Sequence, residues 1–333
     1  ACGGAHGEAL RMDGMQYDLF ADFHINRFCN FDCSYCYWQG PERHDPAHRG
    51  AERERIVSGF NGSGLAWFIH ITGGEPFLHP EFVDVCRDLA QRHYISINTN
   101  LSTPNAIARF ADVMPPDRVG YLHCSYHMEI RKGEADRKTF AERVKLLRAK
   151  GFSAHVSQLF LPGMSEAFPA LFERFRKDGI LLRPKVLKGV YGYKAYPAGY
   201  TQTERDMIRD YVERSRENIG DKDFFDAFFF REDEFVDCDL SFKGQPCRAG
   251  SGFVVVLPNG DVLTCLGMLK PMGNLFDGSF KRLSQPVLCA ANKCASIRFG
   301  LCFCDGTPQP VPDRPLLSFT EGVVNRIKRL FPR

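Results

Sequence analysis

Apolar residues along this chain recur in two alternating rhythms. Short runs rich in Val, Ile, Leu and aromatics predict strands at 17–26, 68–72, 94–98, 119–125, 155–161 and 180–187. Between them the spacing is helical. The segment 51–60 predicts a short helix, and 80–93 places Phe82, Val85, Cys86 and Leu89 on one face, which makes Cys86 a core residue. A helix follows Ser102-Thr103-Pro104, read as a cap with proline in the first turn. The stretch 137–150 carries Phe140, Val144 and Leu147 inward and ends at Gly151. In 165–178 the inward set is Phe168, Leu171, Phe172 and Phe175, and Gly179 ends it. A further helix over 204–218 takes Thr203 as its cap and stops at Gly220.

Six strand–helix units in this order predict a parallel sheet joined by right-handed crossovers. Closing six units gives an α/β fold, a partial (βα)6 TIM-like barrel open on one side, whose site gathers at the C-terminal strand ends. The chain divides into a tail (1–16), the barrel (17–190), a helical, aromatic-rich linker (191–237), a smaller C-terminal α+β cysteine-rich domain (238–310) and a C-terminal helix or tail (311–333). The opening Ala1–Gly7, with Cys2, reads as a mobile terminus. The aromatic run 223–230 reads first as core, with a lid or substrate wall as alternatives. Thr320–Arg333 is amphipathic, and packing on the barrel is favoured over a membrane surface.

The chemistry starts in the first loop. Cys29, Cys33 and Cys36 follow strand one with spacing C-x3-C-x2-C, so three thiolates can wrap one object. An iron–sulfur cluster held by three cysteines keeps one iron open. Structural zinc, with His24 or His44 as a fourth ligand, is the competing reading. A disulfide framework fits neither the odd count of 13 cysteines nor the absence of an export signal.

This loop, with Tyr35 just before its last cysteine, resembles the signature of the radical S-adenosylmethionine (SAM) superfamily. Gly73-Gly74-Glu75-Pro76, closing strand two, resembles the family's GGEP motif. The resemblance covers about 17–188. It implies a [4Fe-4S] cluster with an open iron site on Cys29, Cys33 and Cys36, and SAM bound beside Tyr35 by Gly73, Gly74, Glu75 and Pro76. Glycines permit close backbone approach, and carbonyls with Glu75 can accept from an ammonium. Other strand ends are expected to complete the cofactor site, namely Asn98 and Asn100, Ser125, Gln158 on strand five, and Lys185 or Val186 on strand six, each weighed against ordinary barrel packing. The family's Gly-rich pattern near strands five and six is not visible. His123 and His127 are candidates for acid–base groups facing substrate, weighed against ordinary hydrogen-bonded histidines, and Cys124 is expected in the core.

Seven further cysteines crowd the C-terminal part: Cys238, Cys247, Cys265, Cys289, Cys294, Cys302 and Cys304. Cys247-x12-Gly260-x4-Cys265 encloses a predicted hairpin whose ends meet. This resembles the SPASM or twitch extension of radical SAM enzymes and implies at least one auxiliary [4Fe-4S] cluster. Its ligands come from Cys247, Cys265, Cys289, Cys294, Cys302 and Cys304, although the later spacing departs from the family's. Ligand count favours one cluster over two, and zinc is the competing occupant.

Composition narrows the partners. A net charge of +3 gives no footprint for nucleic acid, and no apolar run reaches a membrane span. Cysteine usage predicts a reducing, cytoplasmic setting. The resemblance implies reductive cleavage of SAM to a 5′-deoxyadenosyl radical that takes a hydrogen atom from substrate. A flavodoxin- or ferredoxin-type donor would supply the electron. About sixteen residues precede strand one, too few for a peptide-recognition domain, so a small molecule such as a sugar, nucleoside or antibiotic intermediate is favoured over a peptide. A non-catalytic iron–sulfur or zinc protein is the alternative from another class.

Overall fold

The computed structural model describes residues 15–38, 40–216 and 231–311. Six parallel strands, β1 (Leu19–His24), β2 (Trp67–Thr72), β3 (Tyr94–Thr99), β4 (Val119–Ser125), β5 (Ala154–Phe160) and β6 (Leu182–Val186), lie side by side in chain order. Helices α1 (Arg53–Gly62), α2 (Phe82–Ala90), α3 (Pro104–Val113), α4 (Glu134–Ala149) and α5 (Ala167–Lys177) fill the connections, and α6 (Gln202–Arg216) follows β6. The predicted alternation is therefore present, with element ends displaced by a few residues.

Burial explains why these runs read as strands without strict alternation. Every residue of β1 and β2 is buried, as in a sheet covered on both faces. One face meets the helices: Phe23 and Trp67 each contact Phe60 of α1, with ring centroids 5.3 Å apart in both cases. The other face carries Phe20, Asp22 and His24 on β1 and Phe68, His70 and Thr72 on β2.

Two of the expected caps are different. Thr103 makes no side-chain cap bond to α3. The cap of α6 is Thr201, two residues earlier than expected: its hydroxyl accepts the Glu204 N–H, and the Glu204 carboxylate accepts the Thr201 N–H at 2.8 Å. That reciprocal pair is a capping box, which Thr203 inside the helix cannot form. Gly151 and Gly179 end their helices with φ +89 and +71, conformations that favour glycine. Asn218, Gly220, the aromatic run 223–230, the opening residues and the C-terminal amphipathic segment lie outside the described residues.

The predicted hairpin of the C-terminal part forms as β7 (Phe253–Val256) and β8 (Asp261–Leu263), joined by β9 (Pro271–Asn274). β7 pairs in parallel with β1, Phe20 opposite Phe253 and Phe23 opposite Val256. The barrel sheet is thus extended to nine strands in one open sheet. Four consecutive buried apolar residues suit β7 to an interior position. A last helix, α7 (Ile297–Phe303), sets Phe299 5.4 Å from the Phe20 ring and 5.1 Å from Phe253. It therefore covers the sheet face opposite α1, near the N-terminal ends of β1 and β7.

Candidate active site at the strand ends

The cysteine loop leaves β1 and is sewn to the turn after β2. The Gly74 N–H donates to Asn26 O at 3.1 Å, the Glu75 N–H to Phe28 O at 2.8 Å, and Asn26 Nδ2 back to Glu75 O at 2.8 Å. This closeness is what the glycines serve. A Cβ on Gly74 would stand 2.1 Å from Phe28 O, and Gly73, at φ +148, would place one 2.5 Å from Asn26 O. The expectation of close approach holds, but the partner is the cysteine loop itself.

Glu75 is likewise a clamp. Its carboxylate is buried and accepts the Phe77 N–H at 3.1 Å, the Thr99 hydroxyl at 2.7 Å and the Asn100 N–H at 2.6 Å. Burial pushes its pKa up to about 7 despite these donors. With its lone pairs turned to the chain, it is committed to holding β2, β3 and the loop together. Pro76 is buried and opens the short 3-10 turn Pro76–Leu78 behind it.

The three thiols lie within electrostatic reach of one another, although among the described residues no three such side chains stand close enough to hold a metal ion as they are. Burial raises Cys29 to about 12 and Cys33 to about 11, and each also feels the Cys36 charge. Thiols raised in this way stay protonated near neutral pH, and a cluster held by them would have to displace those protons. Asn100 Nδ2 stands 4.0 Å from Cys29 Sγ and donates to Asn30 Oδ1 at 3.1 Å. The Tyr35 hydroxyl lies 2.8 Å from His127 Nδ1, and Cys33 Sγ lies 3.5 Å from the same nitrogen. Burial holds His127 neutral, lowering it to about 3. His127 adopts φ +57, a conformation non-glycine residues seldom take, so the exit of β4 is shaped around this contact. Of the zinc candidates, His44 bonds the Cys29 carbonyl at 3.0 Å, and His24 lies on the inner sheet face 3.6 Å from Asp22.

Arg131 was not legible as a site residue, since nothing local marks it. Its guanidinium donates to Tyr126 O at 2.6 Å and to Asn100 O, and lies over the Phe31 and Phe140 rings at 4.9 and 4.8 Å. It ties the exits of β3 and β4 to the cysteine loop.

The remaining cofactor candidates divide. Asn98 and Ser125 face each other, Ser125 Oγ to Asn98 Oδ1 at 3.4 Å, at adjacent strand ends. Gln158 is buried with both amide ends engaged, accepting the Met128 N–H at 2.9 Å and donating to Leu159 O at 2.7 Å. It acts as a brace between β5 and the loop after β4. His123 is hydrogen-bonded to Ser157 Oγ at 2.7 Å, and Cys86 and Cys124 are core residues, as expected.

In the C-terminal part Cys247, Cys265, Cys289, Cys294 and Cys304 come within electrostatic reach of one another. Cys247 and Cys304 face each other across an antiparallel bridge, and their thiols share a hydrogen bond. Cys302, on α7, acts on Tyr121 of the inner barrel face. No disulfide joins the described cysteines. Lys188, just past β6, points its ammonium at Cys294 O and Ala295 O at 3.4 and 3.5 Å.

Residues 23–174 match the family model described as the radical SAM superfamily. A curated relative, the probable GTP 3′,8-cyclase of Thermoplasma volcanium, is 34% identical over 79 residues, which are 24% of this chain and 23% of that protein. Among solved structures, SuiB of Streptococcus suis bound to S-adenosylmethionine aligns with TM-score 0.52 at 15% identity, covering 78% of this chain and 64% of that one. Native anSMEcpe with bound AdoMet aligns with TM-score 0.54 at 18% identity, covering 78% of each chain. The match thus spans under a quarter of the curated relative and less than two thirds of SuiB, and at these identities the structural likeness is one of fold. Residues 23–174, which carry the three-cysteine loop and the Gly-Gly-Glu-Pro turn, are thus the part of the chain that matches the radical SAM superfamily.

Proposed function

We propose that this protein cleaves SAM reductively and uses the resulting 5′-deoxyadenosyl radical to take a hydrogen atom from a small polar substrate. The observation that carries this reading is the joint between Asn26–Phe28, which lead into the cysteine loop, and Gly74–Glu75, which brings that loop beside the turn expected to take the SAM amino group. When bound, a [4Fe-4S] cluster on Cys29, Cys33 and Cys36 supplies one electron and an open iron for SAM. The chain's own work is to orient and to keep water out. Carbonyls of the 73–76 turn are the ammonium acceptors, since the Glu75 side chain is engaged elsewhere. Asn98 and Ser125 offer hydroxyl and amide contacts, and Tyr35 with His127 packs the far side of the loop.

The converging Cys247, Cys265, Cys289, Cys294 and Cys304 support one auxiliary cluster in a SPASM- or twitch-like domain, because five thiols suffice for one cluster and not for two. A small-molecule substrate is favoured by the polar inner face of the barrel. The curated relative is named as a GTP cyclase, and anSMEcpe has been solved with the Cp18Cys peptide at TM-score 0.52, which keeps a peptide as the second reading. A flavodoxin- or ferredoxin-type donor and a cytoplasmic setting complete the proposal. Among the described residues no helix is long and apolar enough to cross a membrane.

The test is anaerobic reconstitution followed by dithionite and SAM. Formation of 5′-deoxyadenosine is expected, together with iron and sulfide for two clusters. The triple variant Cys29→Ala/Cys33→Ala/Cys36→Ala should lose one cluster's iron and all cleavage. Zinc in place of iron, or no 5′-deoxyadenosine, refutes the reading.

A further inference from the structure

We infer that Lys185 anchors an anionic group, a carboxylate or a phosphate, of the ligand held against the inner face of the barrel sheet. That this ligand is the substrate rests on the proposed function; the binding itself does not.

The inner face is built by parity. His70 is bonded to Ser96 at 2.9 Å and lies 3.1 Å from the Tyr121 hydroxyl, and His123 is bonded to Ser157. These side chains therefore share one face with Phe20, Asp22 and His24, opposite the face that meets α1. Ser157 pairs in register with Arg183 and Leu159 with Lys185, so Lys185 continues this face onto β6 at its C-terminal half. Its charge is felt by His70, His123 and His127, each on or beside that face.

The surrounding charges are already committed. Glu232 is bound by Arg298 of α7 and accepts the Val186 N–H at 2.8 Å. His70, His123 and His127 are held neutral by burial. Asp22 lies 3.6 Å from His24, and Asp22 and Glu232 act on Lys185 only at a distance, with no ion pair formed to it. Lys185 itself makes no hydrogen bond and no ion pair among the described residues, while burial pulls its pKa down to about 7. Lys185 is half-buried in β6, so an ammonium held there without a contact partner is only partly solvated and suits a ligand that satisfies it. A second residue points the same way. His24 is 3% exposed, and neither of its ring nitrogens finds a hydrogen-bond partner. A cation with no contact partner among the described residues and an imidazole with both ring nitrogens free of hydrogen bonds, on one polar face, suit an organic anion with a further hydroxyl or amine.

The competing occupant of Lys185 is the SAM carboxylate, and the experiment separates the two. Inorganic phosphate and acetate are titrated calorimetrically into the reconstituted full chain with SAM bound, in wild type, Lys185→Met and Lys185→Arg. Wild type should bind one of the two, which also tells phosphate from carboxylate. Lys185→Met should bind it about tenfold more weakly, the loss expected for one charge-assisted contact, and Lys185→Arg should recover most of it. SAM affinity should be alike in all three. Independently of any variant, the bound anion should protect Lys185 of wild type from acetylation, read by mass spectrometry. Equal binding by Lys185→Met, no binding of either anion by wild type, or SAM affinity falling in step with anion affinity would each overturn the assignment. Failure to form 5′-deoxyadenosine with anion binding intact would instead remove only the enzymatic reading.

Discussion

The Glu75 carboxyl accepts the backbone N–H of Asn100 at 2.6 Å, so the turn after β2 holds the exit of β3 by a buried side chain as well as by sheet bonds. Asn100 in turn reaches Asn30 of the cysteine loop. The most conspicuous acid near the proposed cofactor is therefore part of the frame. Its loss is expected to act first on stability and on the loop.

Glu75 also gives a pH signature. Burial raises it from 4.5 to about 7, so the folded chain holds this proton more tightly than the unfolded one. The stabilisation is fully present below the unfolded value and is lost as pH rises through the folded one. Between about pH 4.5 and 7 this group should cost wild type on the order of 3 kcal/mol. Urea unfolding of the metal-free chain across that window checks it, and Glu75→Gln should lack this component of the slope. Parallel pH profiles for the two proteins would contradict the assignment.

Gly74→Ala should loosen the joint itself. The added methyl meets Phe28 O at 2.1 Å and Phe28 C at 2.5 Å, both backbone atoms that cannot step aside alone. A loss of about 2–4 kcal/mol is expected, with less iron retained by the first site after reconstitution. An alanine variant with wild-type melting and iron would show that the two segments are not so tightly sewn.

Arg131→Met removes donors from the Tyr126 and Asn100 carbonyls and leaves both buried. About 2–4 kcal/mol should be lost in urea unfolding. Arg131→Lys should recover little, because an ammonium cannot span both carbonyls while lying flat on Phe31 and Phe140. Full recovery by lysine would reduce the role to charge alone.

Cys304→Ser and Cys302→Ser should differ although the residues are two apart. Cys304 faces Cys247 across the bridge, whereas Cys302 acts on Tyr121. Iron and sulfide analysis should show the C-terminal site depleted in the first variant and kept in the second. Equal depletion would place both thiols on the metal.

Much was legible because it is local. Strand and helix rhythm, the cysteine spacing and the Gly-Gly-Glu-Pro turn all lie within short windows, and β4 spans the predicted 119–125. The caps were harder. Thr201 and Thr203 both precede a helical run, and only the reciprocal bond with Glu204 tells them apart. Gln158 reads as a cofactor contact from its place on strand five and Glu75 from the Gly-Gly-Glu-Pro turn. Each side chain also accepts a backbone N–H more than twenty residues away, from Met128 and Asn100, a pairing no spacing rule encodes.

From the order of residues alone came the alternating α/β architecture, the three-thiol loop and its companion turn, because each depends on periodicity or on neighbours within a few positions. Folding in three dimensions decided that β7 joins β1 in one sheet, that Glu75 and Arg131 brace the loop, and that Lys185 and His24 look onto the same inner face. Those outcomes depend on which strands lie adjacent and which lone pairs are already taken. Both are set by the balance of burial and hydrogen bonding over the whole chain.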